Sequence, residues 1–411
     1  MDSHYVFDAE CPIRGLVGRV IRVERIGDPP YGRTSYEVDC IDSEADSSEL
    51  SPLRGRASLK FFAILRILTT SRRLLEVIGE ELQEGDWVHL SIAPTDGRPR
   101  PIVFHSQLRP NGYTEQSRGS LYAADRLFSD KDPGPQPRSL GAASATSTAR
   151  AIATAASFPL EAIAGKTDVT SLLANTSTIE HLIVHDVGQA NFVTLMGKDN
   201  TPLARFDAGW PISFNGRTAP SSTSISTEDI PIILSHWDFD HLHGFYRFPV
   251  TKSSTWLTPV QALGPGQAKV ANQLAASNRL LGWSGGTLSV GAVTLLDCNG
   301  PQSSNDNGLA IMAVLTSGKR ALLVGDASYS SVPSQPHLFD FLVVTHHGAL
   351  FSGAVPRPAG RRALSVISVG QGNVYKHPRD QAVAQHSNGG WTVSATAAIF
   401  QPVRGDRILG I

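Results

Sequence analysis

Four potential metal ligands lie within six positions, directly after a strongly apolar segment at 230–234. They are His236, Asp238, Asp240 and His241. Along an extended segment alternate side chains point to the same side, so the first three can face one site while the fourth closes the turn. Imidazole mixed with carboxylate suits Zn, Mn or Fe, and a pair of such ions can activate water and hold a phosphate. A solvated polar loop is the alternative interpretation, but two His and two Asp at this spacing favour a metal site.

The composition limits the class of protein and its partners. With 411 residues the chain exceeds a comfortable single domain, so two domains are expected. The formal net charge of −1 gives no overall attraction to nucleic acid, so such a contact must come from local basic patches. The three cysteines are far apart and form no CxxC pair, which argues against a disulfide framework. The sequence shows neither a signal peptide nor an apolar stretch of the roughly 18–20 residues that a membrane span needs, so we expect a cytoplasmic protein without membrane contact.

The first 128 residues are predicted to form a small, mostly β domain. One helical segment, 71–82, lies among strand-like segments at 16–23, 34–41, 57–65, 86–92 and 101–104. Three strands, a helix and two strands is an element order that resembles a small OB-type barrel, a fold that often binds nucleic acid or another protein. We therefore expect 1–128 to be an OB-like β-barrel domain through which any protein partner would bind.

A basic strip lies within this domain. The segment 54–73 contains no acidic residue and six basic ones, namely Arg54, Arg56, Lys60, Arg66, Arg72 and Arg73. Such a strip could follow the phosphates of a nucleic acid. An ordinary solvated surface is an equally good interpretation, because the domain is slightly acidic overall.

Residues 129–178 are predicted to be a linker with a partial helix. Pro133, Pro135 and Pro137 precede a run of Ser, Ala and Thr, a composition that buries little apolar surface. A helix is expected within 149–164. From 179 to 411 strand and helix patterns alternate, which indicates an α/β domain of two sheets covered by helices.

Six segments of this last region resemble, in order, the motifs of a known family. The family is the metallo-β-lactamase fold domains found at the C-terminus of ComEC-type DNA-uptake proteins. The segments are 183–191 ("DVGQGD"), 235–244 ("SHxDxDHxGG"), 305–309 ("NNNSL"), 322–327 ("LLTGDA"), 344–348 ("PHHGS") and 368–378 ("ISVGxxNxYGHP"). The resemblance covers roughly residues 180–411 and leaves out 1–178. It implies a metallo-β-lactamase αββα sandwich with a metal centre at one edge of the sheets.

The resemblance also implies a centre with two metal positions that holds one or two divalent ions, Zn or Mn. The implied ligands are His236 and Asp238 for one position, Asp240 and His241 for the other, Asp326 as a bridge between them, and His346 as a further ligand. No histidine occurs between His243 and Asp326, where many members of the wider superfamily carry a ligand. One of the positions is therefore expected to be weak or to be built differently.

Other polar residues are expected to take part in catalysis or to support the ligands. The expected catalytic residues are Asp240, His346, His347 and His377, of which the last two could be ligands or could orient or protonate a phosphate oxygen. Asp207, in an Asp-Ala-Gly turn, is expected to support the ligand loop by holding ligands in place without binding the metal itself. Asn305 and Asn307 could contact substrate, although polar residues in a turn before a strand need no function.

The leading hypothesis is metal-dependent hydrolysis of a phosphodiester by a metal-activated water. DNA is the expected substrate, ahead of RNA or a nucleotide, and the OB-like domain with its basic strip would hold the polymer. Two alternatives stay open. One is a metallo-hydrolase of a small ester, a phosphocholine-like group or a lactam, which a deep apolar pocket would favour. The other is a non-catalytic scaffold subunit in a multi-component system, for example a defence system, which the absence of bound metal would favour.

Overall fold

The computed structural model describes residues 14–27, 32–95, 100–130, 140–300, 303–334 and 336–410. These residues fall into two compact units. The first contains the residues up to Phe158 together with Ala262–Gln273, and the second contains Pro159–Gln261 together with the residues from Leu274 onward. The domain boundaries predicted at residues 128 and 178 stay a prediction. Pro133, Pro135 and Pro137, predicted as linker residues, lie outside the described residues.

Eight α-helices lie in the described residues. They are α1 (Ser71–Ile78), α2 (Leu140–Ala155), α3 (Lys166–Leu172), α4 (Phe239–Leu242), α5 (Gly244–Arg247), α6 (Pro249–Ser253), α7 (Pro265–Ala276) and α8 (Asp380–Asn388). The helix predicted within 149–164 begins earlier, at Leu140, and ends at Ala155. Among the described helices none has the length and apolar character needed to cross a membrane.

The first unit is built on a closed antiparallel barrel of six strands in the order β1-β2-β3-β5-β6-β4. The strands are β1 (Arg14–Ile26), β2 (Arg33–Asp42), β3 (Phe62–Thr69), β4 (Asp86–Ala93), β5 (Ile102–Gln107) and β6 (Ser117–Ser129). Val38, Leu65, Leu90 and Val103 are fully buried in the barrel core. Closure pairs every strand on both sides, which removes exposed edges. This barrel is compatible with the predicted OB-like domain.

The barrel differs from the sequence prediction in two places. The strand predicted at 57–65 is wrong in its first half, because Arg56–Phe61 is a 3-10 helix and β3 begins at Phe62. Ser58 Oγ donates to Gly55 O, a local bond that competes with extended backbone. The sixth strand, β6, was not predicted. Its pairing with β4 shifts register twice, and such bulges interrupt the alternation by which strands are recognised.

The basic strip does not form one exposed face. Arg66 is 5% exposed, and its Nε donates to Ser35 Oγ at 2.9 Å. Arg54 and Lys60 are exposed, and so is Arg72, whose Nε lies 3.2 Å from Glu76 Oε1. Arg66 therefore packs within the barrel, and fewer basic residues of the strip are exposed than the sequence suggests.

The second unit contains two seven-stranded sheets. The first has the order β12-β11-β10-β9-β8-β7-β20 and the second the order β13-β14-β15-β16-β17-β18-β19. The strands of the first sheet are β7 (His181–Val184), β8 (Val193–Met196), β9 (Pro202–Phe206), β10 (Ile232–Ile233), β11 (Trp256–Pro259), β12 (Leu280–Trp283) and β20 (Arg407–Leu409). Those of the second are β13 (Leu288–Val290), β14 (Val293–Asp297), β15 (Leu309–Val314), β16 (Arg320–Leu323), β17 (Phe341–Val343), β18 (Leu364–Ile367) and β19 (Thr392–Ala395).

One hydrophobic core joins the two sheets. It contains Phe206, Ile233 and Leu257 from the first sheet and Ile311 and Leu323 from the second, all fully buried. Helices lie on the outer faces, where the ring of Phe245 in α5 contacts Trp256 of β11 at 6.3 Å and α8 packs on β19. The α/β prediction of two sheets covered by helices is confirmed.

Within each sheet the middle strands run parallel. β9, β10 and β11 are parallel in the first sheet, and β16, β17 and β18 in the second. The segments that follow the carboxyl ends of these strands are the usual place for ligands in open α/β sheets. They carry most of the residues that the sequence predicts as ligands.

Candidate metal centre

Strand ends bring the proposed ligands together. His236 follows β10, Asp326 follows β16, and His346 and His347 follow β17. Asp238, Asp240 and His241 lie at the start of α4, a single helical turn. All of these side chains are buried except that of His346, which is 17% exposed. The predicted ligands therefore converge from three distant segments of the chain.

A first group of side chains faces one oxygen of Asp326. His236 Nε2 lies 4.0 Å from Asp326 Oδ2 and 3.5 Å from Asp238 Oδ2. His346 Nε2 lies 3.5 Å from the same Asp326 Oδ2. Two atoms that bind one ion at about 2.1 Å with a tetrahedral angle between them lie about 3.4 Å apart. These separations are too long for hydrogen bonds but suit ligands that share an ion.

A second group faces the other oxygen of Asp326. His241 Nε2 lies 2.9 Å and His347 Nε2 3.8 Å from Asp326 Oδ1. His347 Nε2 is also 3.3 Å from Asp240 Oδ2. Asp326 therefore lies between two groups, and each of its oxygens faces a different pair of histidines. This is the geometry of a carboxylate that can bridge two cations.

Two buried imidazole nitrogens test whether a metal ion fits. Nε2 of His236 and Nε2 of His347 make no hydrogen bond within the described part of the chain, and burying a polar nitrogen in this way costs free energy. His347 Nδ1 donates to Ser368 O at 2.7 Å. Nδ1 therefore carries the proton, and the Nε2 lone pair is directed at the neighbouring carboxylates, as in a metal ligand. The donor set of imidazole and carboxylate fits a divalent cation.

The electrostatics of the centre are dominated by one carboxylate and its histidines. Burial alone would lower the pKa of His241, but the carboxylates of Asp326 and Asp207 raise it well above its usual value. Burial alone would raise the pKa of Asp326, but His241, His346 and His347 hold it well below its usual range. Asp326 is thus an anion surrounded by imidazoles, and a cation bound there displaces protons from the site.

Asp207 supports the ligand loop from behind. Its Oδ2 accepts hydrogen bonds from His241 Nδ1 at 2.8 Å and from Asn191 Nδ2 at 2.7 Å, and its Oδ1 accepts one from Ser235 N at 2.7 Å. It is fully buried and has a left-handed φ of 61°. These bonds turn His241 so that Nε2 faces Asp326. Orienting a ligating histidine through its second nitrogen is a common device in metal sites.

Sequence reasoning missed Ser235. Its Oγ lies 3.0 Å from His236 Nδ1, 3.2 Å from His241 Nδ1 and 3.0 Å from Asp207 Oδ2. One hydroxyl thus contacts a histidine of each group. The available signal was its position directly before His236, at the end of a buried strand.

Two successive histidines adopt the left-handed conformation. The φ angles are 48° at His346 and 53° at His347. Each such residue costs roughly 1–2 kcal/mol, and strained backbone of this kind concentrates at functional sites. The turn directs His346 to Oδ2 and His347 to Oδ1 of Asp326. The two left-handed residues therefore direct neighbouring side chains to different oxygens of Asp326, one in each group of ligands.

The remaining predicted residues lie at different distances from the centre. The ring of His377 packs edge-on against that of His346, with 5.4 Å between centroids. Asn307 lies farther out, and its side chain is 2.6 Å from Gln261 Nε2. Asn305 is half-buried in the turn before β15. Within the described chain, no hydrogen bond joins either asparagine to a proposed ligand.

No protein-family model and no curated protein matches the sequence. Among solved structures, the chain is similar to an N-acyl homoserine lactone hydrolase with the product N-hexanoyl-L-homoserine bound at its catalytic metal centre. The two are 18% identical, the likeness covers 37% of this chain and 77% of that one, and the TM-score is 0.25. The chain is also similar to a metallo-β-lactamase of Cronobacter sakazakii with a HARLDQ motif, at 17% identity over 43% of this chain and 68% of that one, with a TM-score of 0.24. Both likenesses cover less than half of the chain.

Proposed function

We propose that the second unit is a metal-dependent phosphodiesterase of the metallo-β-lactamase fold, akin to the ComEC-type domains, with DNA as its substrate. The observation that carries the proposal is the position of Asp326, whose two oxygens face separate pairs of buried histidines. Support also comes from the two face-to-face sheets and from the ligands at the ends of their parallel strands. Zn or Mn suits this donor set.

The charge of the ligand set favours an anionic substrate. The proposed ligands include three carboxylates, those of Asp238, Asp240 and Asp326, and their histidines are neutral when they bind metal. Two divalent ions would carry one positive charge more than these three carboxylates, so the ions with their direct ligands would be positive and would attract a phosphodiester more strongly than a neutral ester or lactam.

The chain's own residues orient the reactants. When bound, the ions supply Lewis acidity to a water and to the phosphoryl oxygens. Asp207 and Ser235 hold the ligating histidines from behind. His377 lies outside both groups but against His346, where it can donate a proton to the departing oxygen. The barrel unit, with exposed Arg54 and Lys60, contributes contacts to the polymer.

The proposal is tested with Asp326→Asn, which keeps the shape of the side chain but removes the bridging anion. Purified wild-type protein is expected to contain a divalent metal by elemental analysis and to cleave single- or double-stranded DNA with Mn²⁺ or Zn²⁺. Asp326→Asn is expected to lose most of this metal and to cleave at least about 100-fold more slowly, as expected when metal ligation is lost.

Asp229→Asn is the matched control, because Asp229 is half-exposed beside Arg279 and lies outside the centre. It should keep wild-type metal content and cleavage. Thermal melts show whether each variant is folded. Full cleavage by a folded Asp326→Asn protein would contradict the proposal.

A further inference from the structure

The segment 370–377, which borders the metal centre, is a tightly bonded loop. Asn373 Nδ2 donates to Gly370 O and to His377 O, at 2.9 and 2.6 Å. Asn373 Oδ1 accepts from Tyr375 N and His377 N, at 3.1 and 3.0 Å. Val374 N adds a bond to a neighbouring segment, through Asn215 Oδ1 at 2.9 Å. One asparagine side chain thus makes four hydrogen bonds inside the loop and fixes its backbone.

Lys376 occupies a strained position in this loop. Its φ is 66°, in the left-handed region that favours glycine and that costs other residues roughly 1–2 kcal/mol. Lys376 is exposed, and its ammonium makes no hydrogen bond or ion pair with any residue that the structure describes. No contact of this side chain with the described residues therefore accounts for the strained backbone at Lys376.

Lys376 is held close to the proposed ligands. The next residue, His377, packs its ring against His346 at 5.4 Å. Arg379 N donates to Gly348 O at 2.8 Å, which ties the loop to the turn that carries the two left-handed histidines. Adjacent Cα atoms are about 3.8 Å apart, so the base of the Lys376 side chain lies that far from the Cα atom of His377, whose ring contacts a proposed ligand.

Three cations lie on this loop or against it. Residues 370–379 include Lys376 and Arg379, and the first acidic residue after them is Asp380. Arg217 lies against the same loop, where its Nη2 donates to Gly372 O at 2.6 Å. The whole chain carries a net charge of −1, so this local excess of cations has no counterpart in the overall charge.

We propose that Lys376 is a specificity-determining residue that binds a phosphate next to the scissile one, so that the centre prefers a polynucleotide strand to an isolated phosphodiester. The proposal rests on the proposed phosphodiesterase function. The rigid loop fixes the base of the side chain, so the ammonium reaches only the region beside the metal centre, and a phosphate bound there positions the neighbouring ester over the centre.

The test compares the full-length wild-type protein with Lys376→Gly, which removes the charge and relieves the strained φ, so that folding is preserved. The substrates are a single-stranded oligonucleotide and bis(p-nitrophenyl) phosphate, which has no second phosphate. On the oligonucleotide we expect KM to rise about fivefold at low salt with kcat nearly unchanged, as expected when uniform binding is lost. The loss on bis(p-nitrophenyl) phosphate is expected to be clearly smaller.

Salt dependence provides a second readout. Loss of one phosphate contact makes the slope of log affinity against log salt shallower by about 0.7 for a single strand. This slope is measured by fluorescence anisotropy of a labelled oligonucleotide, which requires no cleavage. Lys376→Arg should restore both KM and slope, because it keeps the charge.

Lys198→Gly is the control, because Lys198 is an exposed lysine in the turn between β8 and β9, at the opposite end of β9 from Asp207. It should behave like the wild type. A Lys376→Gly protein with wild-type KM and wild-type salt slope would overturn the Lys376 proposal. Equal losses on both substrates would do the same.

The two proposals fail in different ways. If the wild type binds the oligonucleotide but cleaves neither ester with Mn²⁺ or Zn²⁺, the phosphodiesterase function is wrong, and the salt slope still decides whether Lys376 contacts phosphate. If the wild type neither binds nor cleaves, both proposals are wrong.

Discussion

The hydrogen bonds behind the ligand loop have a consistent direction. His236 Nδ1 can donate to Ser235 Oγ, and Ser235 Oγ can donate to Asp207 Oδ2, which also accepts from His241 Nδ1. In this arrangement both Nδ1 atoms carry a proton, so Nε2 is the atom through which each histidine would bind a metal ion, His241 after releasing its second proton. One buried carboxylate at the end of β9 therefore sets the tautomer of two histidines.

At the scale of the residue, the prediction concerns Asp207→Asn. Asparagine tolerates the left-handed φ of 61° and has nearly the same volume, but its amide group replaces an oxygen that only accepts. We expect metal affinity to fall by about 10- to 100-fold, the usual effect of removing such a partner of a ligating histidine. Competition with a chromogenic chelator measures this affinity.

Asp199→Asn is a close control, since Asp199 is also left-handed, at φ 57°, but is exposed and far along the chain from the ligands. Its metal affinity should equal that of the wild type. Wild-type affinity in a folded Asp207→Asn protein would show that the bonds to Asp207 do not orient the ligands.

The sequence could predict which residues converge but not how they divide into two groups. The spacing of His236, Asp238 and Asp240 was sufficient to predict a site. The separation of His346 from His347 depends on two left-handed residues, and nothing in the pattern His-His-Gly specifies those angles. Ser235 was missed because a serine at a strand end is ordinary in composition, and its three contacts arise only from tertiary packing.

At the scale of elements, the ends of β10 and β16 approach so closely that side chains are excluded. A Cβ atom on Gly325 would lie 2.4 Å from Ser235 Cβ, and one on Gly308 would lie 2.3 Å from Ser235 O. Leu309 N donates to Ser235 O at 2.7 Å, which fixes this approach. Ser235, directly before the ligand His236, is therefore held between two segments of the second sheet, those that contain Gly308 and Gly325.

The prediction at this scale compares Gly325→Ala with Gly318→Ala. Both glycines have positive φ, 58° and 78°, so both substitutions cost conformational strain of about 1 kcal/mol. Open space surrounds Gly318, whereas alanine at 325 also displaces Ser235. We expect Gly325→Ala to reduce the free energy of unfolding by about 2–4 kcal/mol in total, because overpacking adds to strain.

Urea denaturation of metal-free protein measures both changes, and metal content is measured beside it. Only Gly325→Ala should also lower metal content, because it moves the neighbour of His236. If the two variants lose equal stability, the close approach of the two sheets does not constrain Ser235.

Local sequence determines which strands could be predicted and which could not. The apolar segment 230–234 predicted a buried strand, and Ile232, Ile233 and Leu234 are fully buried. The strand begins only at Ile232, because Pro231 has no backbone N–H to pair. The barrel strand β6 escaped prediction because its pairing with β4 shifts register twice, and such irregularities interrupt the alternation of buried and exposed residues.

At the scale of the whole molecule, one buried carboxyl joins segments that are far apart in sequence. Asp39 Oδ1 accepts from Gly266 N and Oδ2 from Gln267 N, each at 3.0 Å, at the first turn of α7. Asp39 is fully buried. Burial raises its pKa to about 7, although the two N–H groups and Arg19 act in the opposite direction.

This pKa predicts how stability depends on pH. The pKa of Asp39 in the folded state exceeds its usual value of 3.8, so between these values the folded chain holds a proton that the unfolded chain has released. The contribution of Asp39 to the free energy of unfolding therefore falls as pH rises towards 7, by about 1.4 kcal/mol per pH unit, and levels off above it. Asp39→Asn should remove this contribution.

Urea denaturation of the full chain between pH 5 and pH 8 measures it as the difference between wild type and variant. Asp199→Asn, an exposed change in the turn between β8 and β9, should keep the wild-type dependence. A constant difference between wild type and Asp39→Asn across this range would show that Asp39 does not titrate there.

The segment Ala262–Gln273 gives the chain an unusual order of assembly. It belongs to the barrel unit by its packing, yet it is encoded between β11 and β12 of the other unit. Because a ribosome delivers the chain from its N-terminus, the barrel unit cannot reach its final form until residue 273 has left the exit tunnel. By then the first five strands of the second unit, β7 to β11, have already been synthesised, so we expect the two units to mature together on the ribosome rather than one after the other.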